Sequence, residues 1–444
     1  MHEVDIHQIV DDARFNKFHA LILFWCALII IFDGYDLAIA GAALPAIMKD
    51  MGVAPTQAGF MVSSALFGMM FGAIFLGTAS DQFGRRRVIS LCILLFSGFT
   101  AAAGLTKDPV LFSVARFIAG LGIGGVMPNV VAHMTEYAPK KIRATMVTLM
   151  FSGYAVGGMI AALLGKQLIE SYGWTSVFFA AGAPLILIPL VLATLPESIA
   201  YLQRNGQQAA LNRIVGRIDP SFHAAAGDQL VFPIEKHKAV PTQLFEDGRS
   251  LSTIMFWLAF FMCLFMVYAL SSWLTKLMAG AGYSLGSALN FVLALNFGAM
   301  LGAIGGGWLA DKFSIKWVLV GMFILSAISI ALLGVGLPTF WLFIAVGLAG
   351  ASTIGTQIVA YAYAGQFYPV AVRSTGIGFA SGVGRLGAII GPIAIGALVA
   401  LKLPLEQNFY AIAIPGVISA LAVAMIDHGR SHTFIRETTM AFNK

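Results

Sequence analysis

Twelve runs of about 20 mostly apolar residues divide the chain, and each is long enough to cross a bilayer as a helix. They are read at about 20–43, 57–76, 88–106, 110–132, 144–165, 174–195, 252–274, 287–309, 317–336, 340–362, 375–400 and 408–426. Lipid offers no water to backbone N–H and C=O groups, so runs of this length must satisfy them internally as α-helices. Composition agrees: 59% of the 444 residues are hydrophobic and 11% are charged, against about 25% charged in a soluble domain. The expected fold is an all-α polytopic membrane protein with twelve transmembrane helices in two pseudo-symmetric six-helix bundles. The expected organisation is 1–19 as an N-terminal segment, 20–196 as the first bundle, 197–250 as a central loop, 251–427 as the second bundle and 428–444 as a tail. The polar start has no basic region followed by a small-residue cleavage site, so no removable signal peptide is expected. Within the central loop, "RNGQQAALNRIVGRID" has the pattern of an amphipathic helix.

The formal net charge of +6 raises nucleic acid as a partner. The placement of the charge answers it. Of 27 Lys and Arg, 20 fall in segments that share one side if both termini are cytoplasmic, five fall in the loops of the other side, and Arg116 and Arg385 fall inside spans. That asymmetry orients a membrane protein with its termini inside. No nucleic-acid partner is expected, and the lipid bilayer is. Cys26, Cys92 and Cys263 all lie in apolar runs and read as small buried hydrophobes.

A repeat separates scaffold from chemistry. Shifting "GTASDQFGRRRV" (77–88) by 230 onto "GGWLADKFSIKWV" (306–318) aligns Gly77 with Gly307, Asp81 with Asp311, Phe83 with Phe313 and Arg86 with Lys316. The same shift carries "EYAPKKIRAT" onto "QFYPVAVRST", aligning Pro139 with Pro369, Arg143 with Arg373 and Thr145 with Thr375. Two matches at one offset indicate two related six-helix halves. Features common to both halves serve architecture. The intramembrane charges are not common: Asp33 meets Cys263, Asp36 meets Met266, Arg116 meets Val346, and Arg385 meets Ala155.

Asp33 and Asp36 stand three residues apart and share a helix face. A charge at mid-membrane costs at least about 2.5–3.5 kcal/mol on insertion scales, so that face should line a cavity. Two carboxylates this close favour holding one proton between them, which is the behaviour of a proton carrier. The plainer reading is a pair of fixed salt bridges to Arg116 and Arg385, and the two readings can coexist. Nothing in the sequence orders the aspartates; Asp36 is taken as the carrier and Asp33 as the partner of Arg116. Arg116 stays protonated and either holds an aspartate or binds an anion. Arg385 lies among Gly382, Gly384 and Gly387, which leave room beside a fork that matches a carboxylate in two points.

The loop segment 77–87, the arginine and evenly spaced glycines of "RFIAGLGIGG" (116–125) and "LPESIAYL" (195–202) resemble the signatures of the major facilitator superfamily. The Asp-Gly-aromatic-Asp of the first span, with "GGVMPN" closing the fourth, resembles the aromatic acid:proton symporter family, of the benzoate and 4-hydroxybenzoate transporter type. The resemblance implies a secondary importer in the bacterial inner membrane that takes up a small aromatic acid with a proton. It implies that Gly77, Asp81, Arg85 and Arg86 form a gate stabilising the outward-open state, with Glu136 and Arg143 as partners. Asp311 is the second-half counterpart, and its loop is less basic. Residues in the spans that can wall an aromatic ring are Tyr35, Phe67, Tyr154, Tyr268, Asn296, Gln357 and Tyr361. Such residues also serve packing. Asn129 can cap or contact substrate.

Competing functions leave fewer marks. His19, His133, His237 and His428 show no ligand spacing, so no metal is expected. No phosphate-binding glycine loop appears, so no cofactor is expected and the proton gradient is the expected energy source. "GLGIGG" has no preceding strand and reads as helix packing. No nucleophile–base set appears, so no catalytic residue and no enzyme is expected. A drug exporter of the same fold would resemble its family in a Gly-Pro element of the fifth span, where this chain has Gly157-Gly158. A membrane sensor that binds aromatic acids without transport would usually carry a large attached signalling domain, and a transporter is expected ahead of it. A monomer is expected.

Overall fold

Eleven of the twelve apolar runs form one continuous helix each, and most of these run further than the hydrophobic segment itself. The computed structural model describes residues 2–220, 228–231, 241–246, 248–369 and 372–431; the side chains of 2–4, 81, 144, 228–231, 241, 311, 373 and 374 lie outside that description. Much of the central loop and the tail from 432 are likewise outside it.

The helices in chain order are α1 (Ile6–Asp12), α2 (Lys17–Met51), α3 (Pro55–Phe83), α4 (Arg85–Ala103), α5 (Pro109–Tyr137), α6 (Arg143–Tyr172), α7 (Thr175–Ala180), α8 (Ile188–Thr194), α9 (Ile199–Arg204), α10 (Gln208–Ile218), α11 (Ser250–Gly280), α12 (Leu285–Lys312), α13 (Ile315–Leu332), α14 (Thr339–Phe367), α15 (Arg373–Ala400) and α16 (Leu405–Met425). Among the described residues, 12 helical segments are long and apolar enough to cross a membrane. They match the twelve runs of the sequence. The sixth, expected to be continuous, is broken: α7 and α8 flank a 3-10 turn at Ala183–Leu187. Pro184 and Pro189 cannot donate to the helix ladder. The Ser97 hydroxyl of α4 donates to the carbonyl of Ala181 beside the break, and such side chains make a broken helix tolerable in lipid.

The polar termini of the first half are structured as well. Strand β1 (His2–Asp5) pairs in parallel with β2 (Asp228–Val231) of the central loop, with His2 opposite Asp228 and Asp5 opposite Val231. The expected amphipathic helix is α10, which buries Leu211, Ile214, Val215 and Ile218. The Asn16 side chain donates to the carbonyls of Arg217 and Ile218 at 3.0 and 2.9 Å, satisfying two of the carbonyls a helix end leaves open. Arg217 also lies over the Phe18 ring at 4.6 Å.

The chain packs as two compact units: Met1–Leu37, Phe67–Gly157 and Thr175–Lys236 in the first, and Ala38–Leu66, Gly158–Trp174 and His237–Lys444 in the second. In the second unit, the ends of α2, α3 and α6 that lie farthest from the central loop pack on α11, α12 and α15. Trp273 Nε1 donates to the Pro392 carbonyl at 2.9 Å, and Ser63 Oγ to that of Ile389 at 2.8 Å. A Cβ on Gly59 would lie 2.7 Å from the Pro392 oxygen, so only glycine allows that approach.

The 230-residue repeat reappears as packing. In the first unit, a side chain on Gly157 would overlap the Ile31 carbonyl, one on Gly68 that of Phe117, and one on Gly72 that of Leu121. In the second, Gly387 meets Phe261, Gly298 meets Gly347 and Gly302 meets Ala351 in the same manner. Each of these six partners is its counterpart plus or minus 230. Small residues let membrane helices approach backbone to backbone, so α2–α6 and α3–α5 are built like α11–α15 and α12–α14. One contact is inverted: Gly34 meets the Tyr154 main chain, whereas at the related positions Leu264 is the large residue and Gly384 the small one.

Candidate functional site

The intramembrane charges of the first half come together. Arg116 on α5 donates from Nη1 to Asp36 Oδ1 at 3.0 Å and to Thr100 Oγ1 at 2.6 Å, and from Nη2 to the Asp36 carbonyl at 3.1 Å. The fork therefore does not grip the carboxylate in two points. It holds one carboxylate oxygen and one main-chain oxygen of Asp36 on α2 and one hydroxyl on α4. Asp36 and Arg116 are 1% exposed, and Asp33 and Thr100 are fully buried. The Phe178 ring of α7 lies 5.9 Å from the guanidinium carbon. The glycine face of α5 seats Arg116: Gly122 contacts the α4 main chain at Cys92, and Gly124 that of α3 at Met69.

Asp33 lies one turn nearer the central loop, within electrostatic reach of Cys92. Arg116 is thus bonded to Asp36, where the sequence assignment paired it with Asp33. Residues three apart share a face but differ in depth by about 4.5 Å, and the depth of Arg116 matches Asp36. Gly34 between them serves the approach of α6 at the Tyr154 main chain.

Arg385 sits half-buried on α15 in the second unit. Gly384 and Gly387 bring α15 onto α11 at Phe260 and Phe261, so of the three glycines beside Arg385 only Gly382 has open space next to it. One turn before Arg385, Ser381 Oγ shares a hydrogen bond of 2.9 Å with the Tyr361 hydroxyl. The Phe260 ring meets Tyr361 edge-on at 4.9 Å. Gln357, one turn earlier on α14, and Tyr268 on α11 are both half-buried.

Other expected wall residues hold the scaffold. Tyr35 donates its hydroxyl to the Val177 carbonyl at 2.7 Å and ties α2 to α7. Asn129 donates from Nδ2 to Leu76 and Gly125 carbonyls at 3.1 and 2.8 Å, joining α5 to α3. Asn296 donates to the Val292 carbonyl at 2.9 Å, and its side chain fills the space beside Gly158. Tyr154 is half-buried, with its main chain against Gly34. Phe67 is 44% exposed, in a row with Phe71 and Phe117 at 5.1 and 6.0 Å.

At the central-loop end of the first unit the expected gate residues are networked. Arg85 is paired with Glu136 and also donates to the Ala132 carbonyl at 3.3 Å. The Glu136 carboxylate accepts from Ser198 Oγ at 3.0 Å and from the Ala200 N–H at 2.9 Å, so it caps α9. Glu197 accepts from the Arg86 N–H at 3.1 Å in the first turn of α4. Gly84 has φ 92°, and a Cβ there would lie 2.7 Å from the Glu197 carboxylate. Arg143 pairs with Asp11 of α1, and Lys140 N–H donates to the Asp11 carbonyl at 3.2 Å. Gly77 meets Pro128 at 3.7 Å. The side chains of Asp81 and Asp311 lie outside the described residues. In the second unit, Lys316 donates to the Ile426 carbonyl at 2.8 Å.

Reasoning from sequence missed Thr100, Asp11, Glu197 and Ser198. Thr100 carried a signal: the 230 shift places Ile330 opposite it. Asp11 carried none, since acidic residues are ordinary in a polar terminus.

The comparisons with known proteins agree with this geometry. Residues 26–306 and 291–439 match the family described as Major Facilitator Superfamily. The benzoate transport protein of Acinetobacter baylyi is 46% identical over 438 residues, covering 97% of this chain and 94% of the relative. The 4-hydroxybenzoate transporter PcaK of the same organism is 34% identical, covering 95% of this chain and 93% of the relative. A gallate transporter of Pseudomonas putida is 32% identical, covering 96% of each. The inward-open xylose transporter XylE of E. coli matches in fold with a TM-score of 0.71 at 17% identity, covering 95% of this chain and 99% of that one. Helix number, internal repeat, buried charge cluster and relatives converge, and the chain belongs to the Major Facilitator Superfamily: it is a multi-pass membrane transporter and not an enzyme.

Proposed function

We propose that the protein is a proton-coupled importer of aromatic carboxylates that works by alternating access. The observation that carries the coupling is the buried Asp36–Arg116 pair with Asp33 one turn away, present in one half of the repeat only. Asp36 stays ionised against Arg116. Asp33 takes a proton on one side and releases it on the other. Arg385 meets the substrate carboxylate, with Tyr361, Gln357 and Tyr268 about the ring. The two aspartates and two arginines of the spans sum to zero; an aromatic carboxylate adds one negative charge, and one proton restores neutrality in a chain whose spans bear net charge at high cost. The names of the benzoate, 4-hydroxybenzoate and gallate relatives support the substrate class. The protein sits in a bacterial inner membrane as a monomer, both termini cytoplasmic, with the proton gradient as its energy source.

Purified protein in liposomes, given an inward proton gradient, should accumulate labelled benzoate, 4-hydroxybenzoate, protocatechuate, gallate or vanillate above the outside concentration. Accumulation should collapse with a protonophore. Uptake that ignores the imposed gradient would remove the coupling; acceptance of none of the panel would remove the substrate class.

A further inference from the structure

We infer that Thr100 is a positioning residue of the proton-coupling site, holding Asp36 ionised against Arg116; the inference deepens the reading above and rests on it for its transport readout. Three observations carry it.

The first is geometry. Thr100 Oγ1 accepts from Arg116 Nη1 at 2.6 Å, and its own proton needs an acceptor in a site without solvent. The Asp36 carboxylate stands beside it. Arg116 uses Asp36 Oδ1 and the Asp36 carbonyl, while Oδ2 is buried and receives no donor among the described residues. A hydroxyl is both acceptor and donor, so Thr100 can close the ring from Arg116 to Asp36. A guanidinium hydrogen and a hydroxyl hydrogen then both favour the charged carboxylate.

The second is architecture. The ring joins α2, α4 and α5, and no other described side chain bonds Arg116 besides Asp36 and Thr100. A threonine within a helix ordinarily bonds back to its own main chain, as Thr353 does to Ala349 at 2.7 Å.

The third is the repeat. The 230 shift turns Asp36, Thr100 and Arg116 into Met266, Ile330 and Val346, all fully buried. The second half fills the same three places with apolar side chains and keeps its helix pairing. The three polar residues therefore stand or fall as a set, and a hydroxyl is not required for packing at this position of the fold. Among the described residues, Tyr35 on α2 lies within electrostatic reach of Asp36, and Cys92 on α4 within reach of Asp33, the neighbouring carboxylate on α2.

The test compares Thr100→Val, which keeps the shape without the hydroxyl, Thr100→Ser, which keeps the hydroxyl, and Asp36→Asn with and without Thr100→Val. Per folded protein in liposomes, gradient-driven benzoate uptake should fall about 10-fold in Thr100→Val, with its pH profile displaced. Thr100→Ser should stay within about 2-fold of the parent. In detergent, Thr100→Val should lower the melting temperature, and should lower it much less in the Asp36→Asn background. That coupling is read without substrate, so it survives even if the parent imports no aromatic acid. Should Thr100→Val not fold, Thr100→Cys, a weak donor of similar size, replaces it in both measurements. A Thr100→Val protein with parental uptake and pH profile, or a melting loss equal in both backgrounds, overturns the inference.

Discussion

Asp36 is tied to Arg116 by a side-chain and a main-chain contact, and Asp33 is the second carboxylate of the pair, one turn away on the same helix. Asparagine keeps shape and removes titration. Asp33→Asn should abolish accumulation driven by a pH gradient and keep exchange of labelled for unlabelled substrate, since exchange needs no net proton movement. Asp36→Asn should lose both, because it strands a buried guanidinium. Exchange retained in Asp36→Asn and lost in Asp33→Asn would reverse the roles. At Arg385, lysine keeps the charge but not the planar fork. Arg385→Lys should raise the dissociation constant for benzoate about 10-fold, or about 1.4 kcal/mol, in a calorimetric or fluorescence titration, while the amide analogue should bind both forms weakly. Equal binding of acid by both proteins would make Arg385 structural. The buried charges were legible in the sequence because lipid makes a charge conspicuous. Thr100 was marked only faintly, by its apolar counterpart Ile330 in the repeat, because a lone hydroxyl in a span usually serves its own helix and only the fold shows which neighbour it faces. The order of Asp33 and Asp36 was illegible for a related reason: spacing gives the face, and depth depends on how another helix is set beside it.

At the scale of elements, glycine contacts decide which helices pair. Gly68→Ala and Gly298→Ala each push a methyl into a carbonyl of the facing helix, while Gly305→Ala on α12 enters open space. The first two should each destabilise the protein by about 1–3 kcal/mol, the range for overpacking, and Gly305→Ala should be neutral, by thermal unfolding in detergent. A tolerated Gly68→Ala would mean that α3 and α5 are not held backbone to backbone. Glu136 gathers Arg85, Ser198 and the start of α9. Glu136→Gln should cost about 3 kcal/mol, the lower end for a broken buried pair, since Arg85 keeps some contact with solvent. Hydrogen exchange should then quicken in residues 199–204; an unchanged rate there would separate Glu136 from α9. The twelve spans were legible because length and hydropathy answer to the bilayer alone. The break in the sixth and the pairing of β1 with β2 were not: the first depends on Ser97 from another helix, and the second joins residues more than two hundred positions apart.

At the scale of the whole molecule, the asymmetry of Lys and Arg orients the chain. Single cysteines placed at exposed positions of 197–250, in a form lacking Cys26, Cys92 and Cys263, should react in intact cells with membrane-permeant reagents only. Labelling there by an impermeant reagent would invert the orientation and with it the side on which Asp33 releases its proton. The repeat was visible in two loop matches, yet its extent along the helices was not, since Gly-to-carbonyl contacts leave no pattern beyond scattered glycines. Those contacts bear on descent. At Gly157 and Gly387, where an added methyl would strike a backbone oxygen, both halves of the repeat keep glycine, and at Gly34 and Leu264 the small residue has only changed sides of the contact. Where only side chains meet, the copies have parted: alanine at 155 stands for arginine at 385, and valine at 346 for arginine at 116. New substrate preferences in such a lineage are therefore expected to arise beside the glycine contacts, in one half at a time, with the pairing of the helices left as it was.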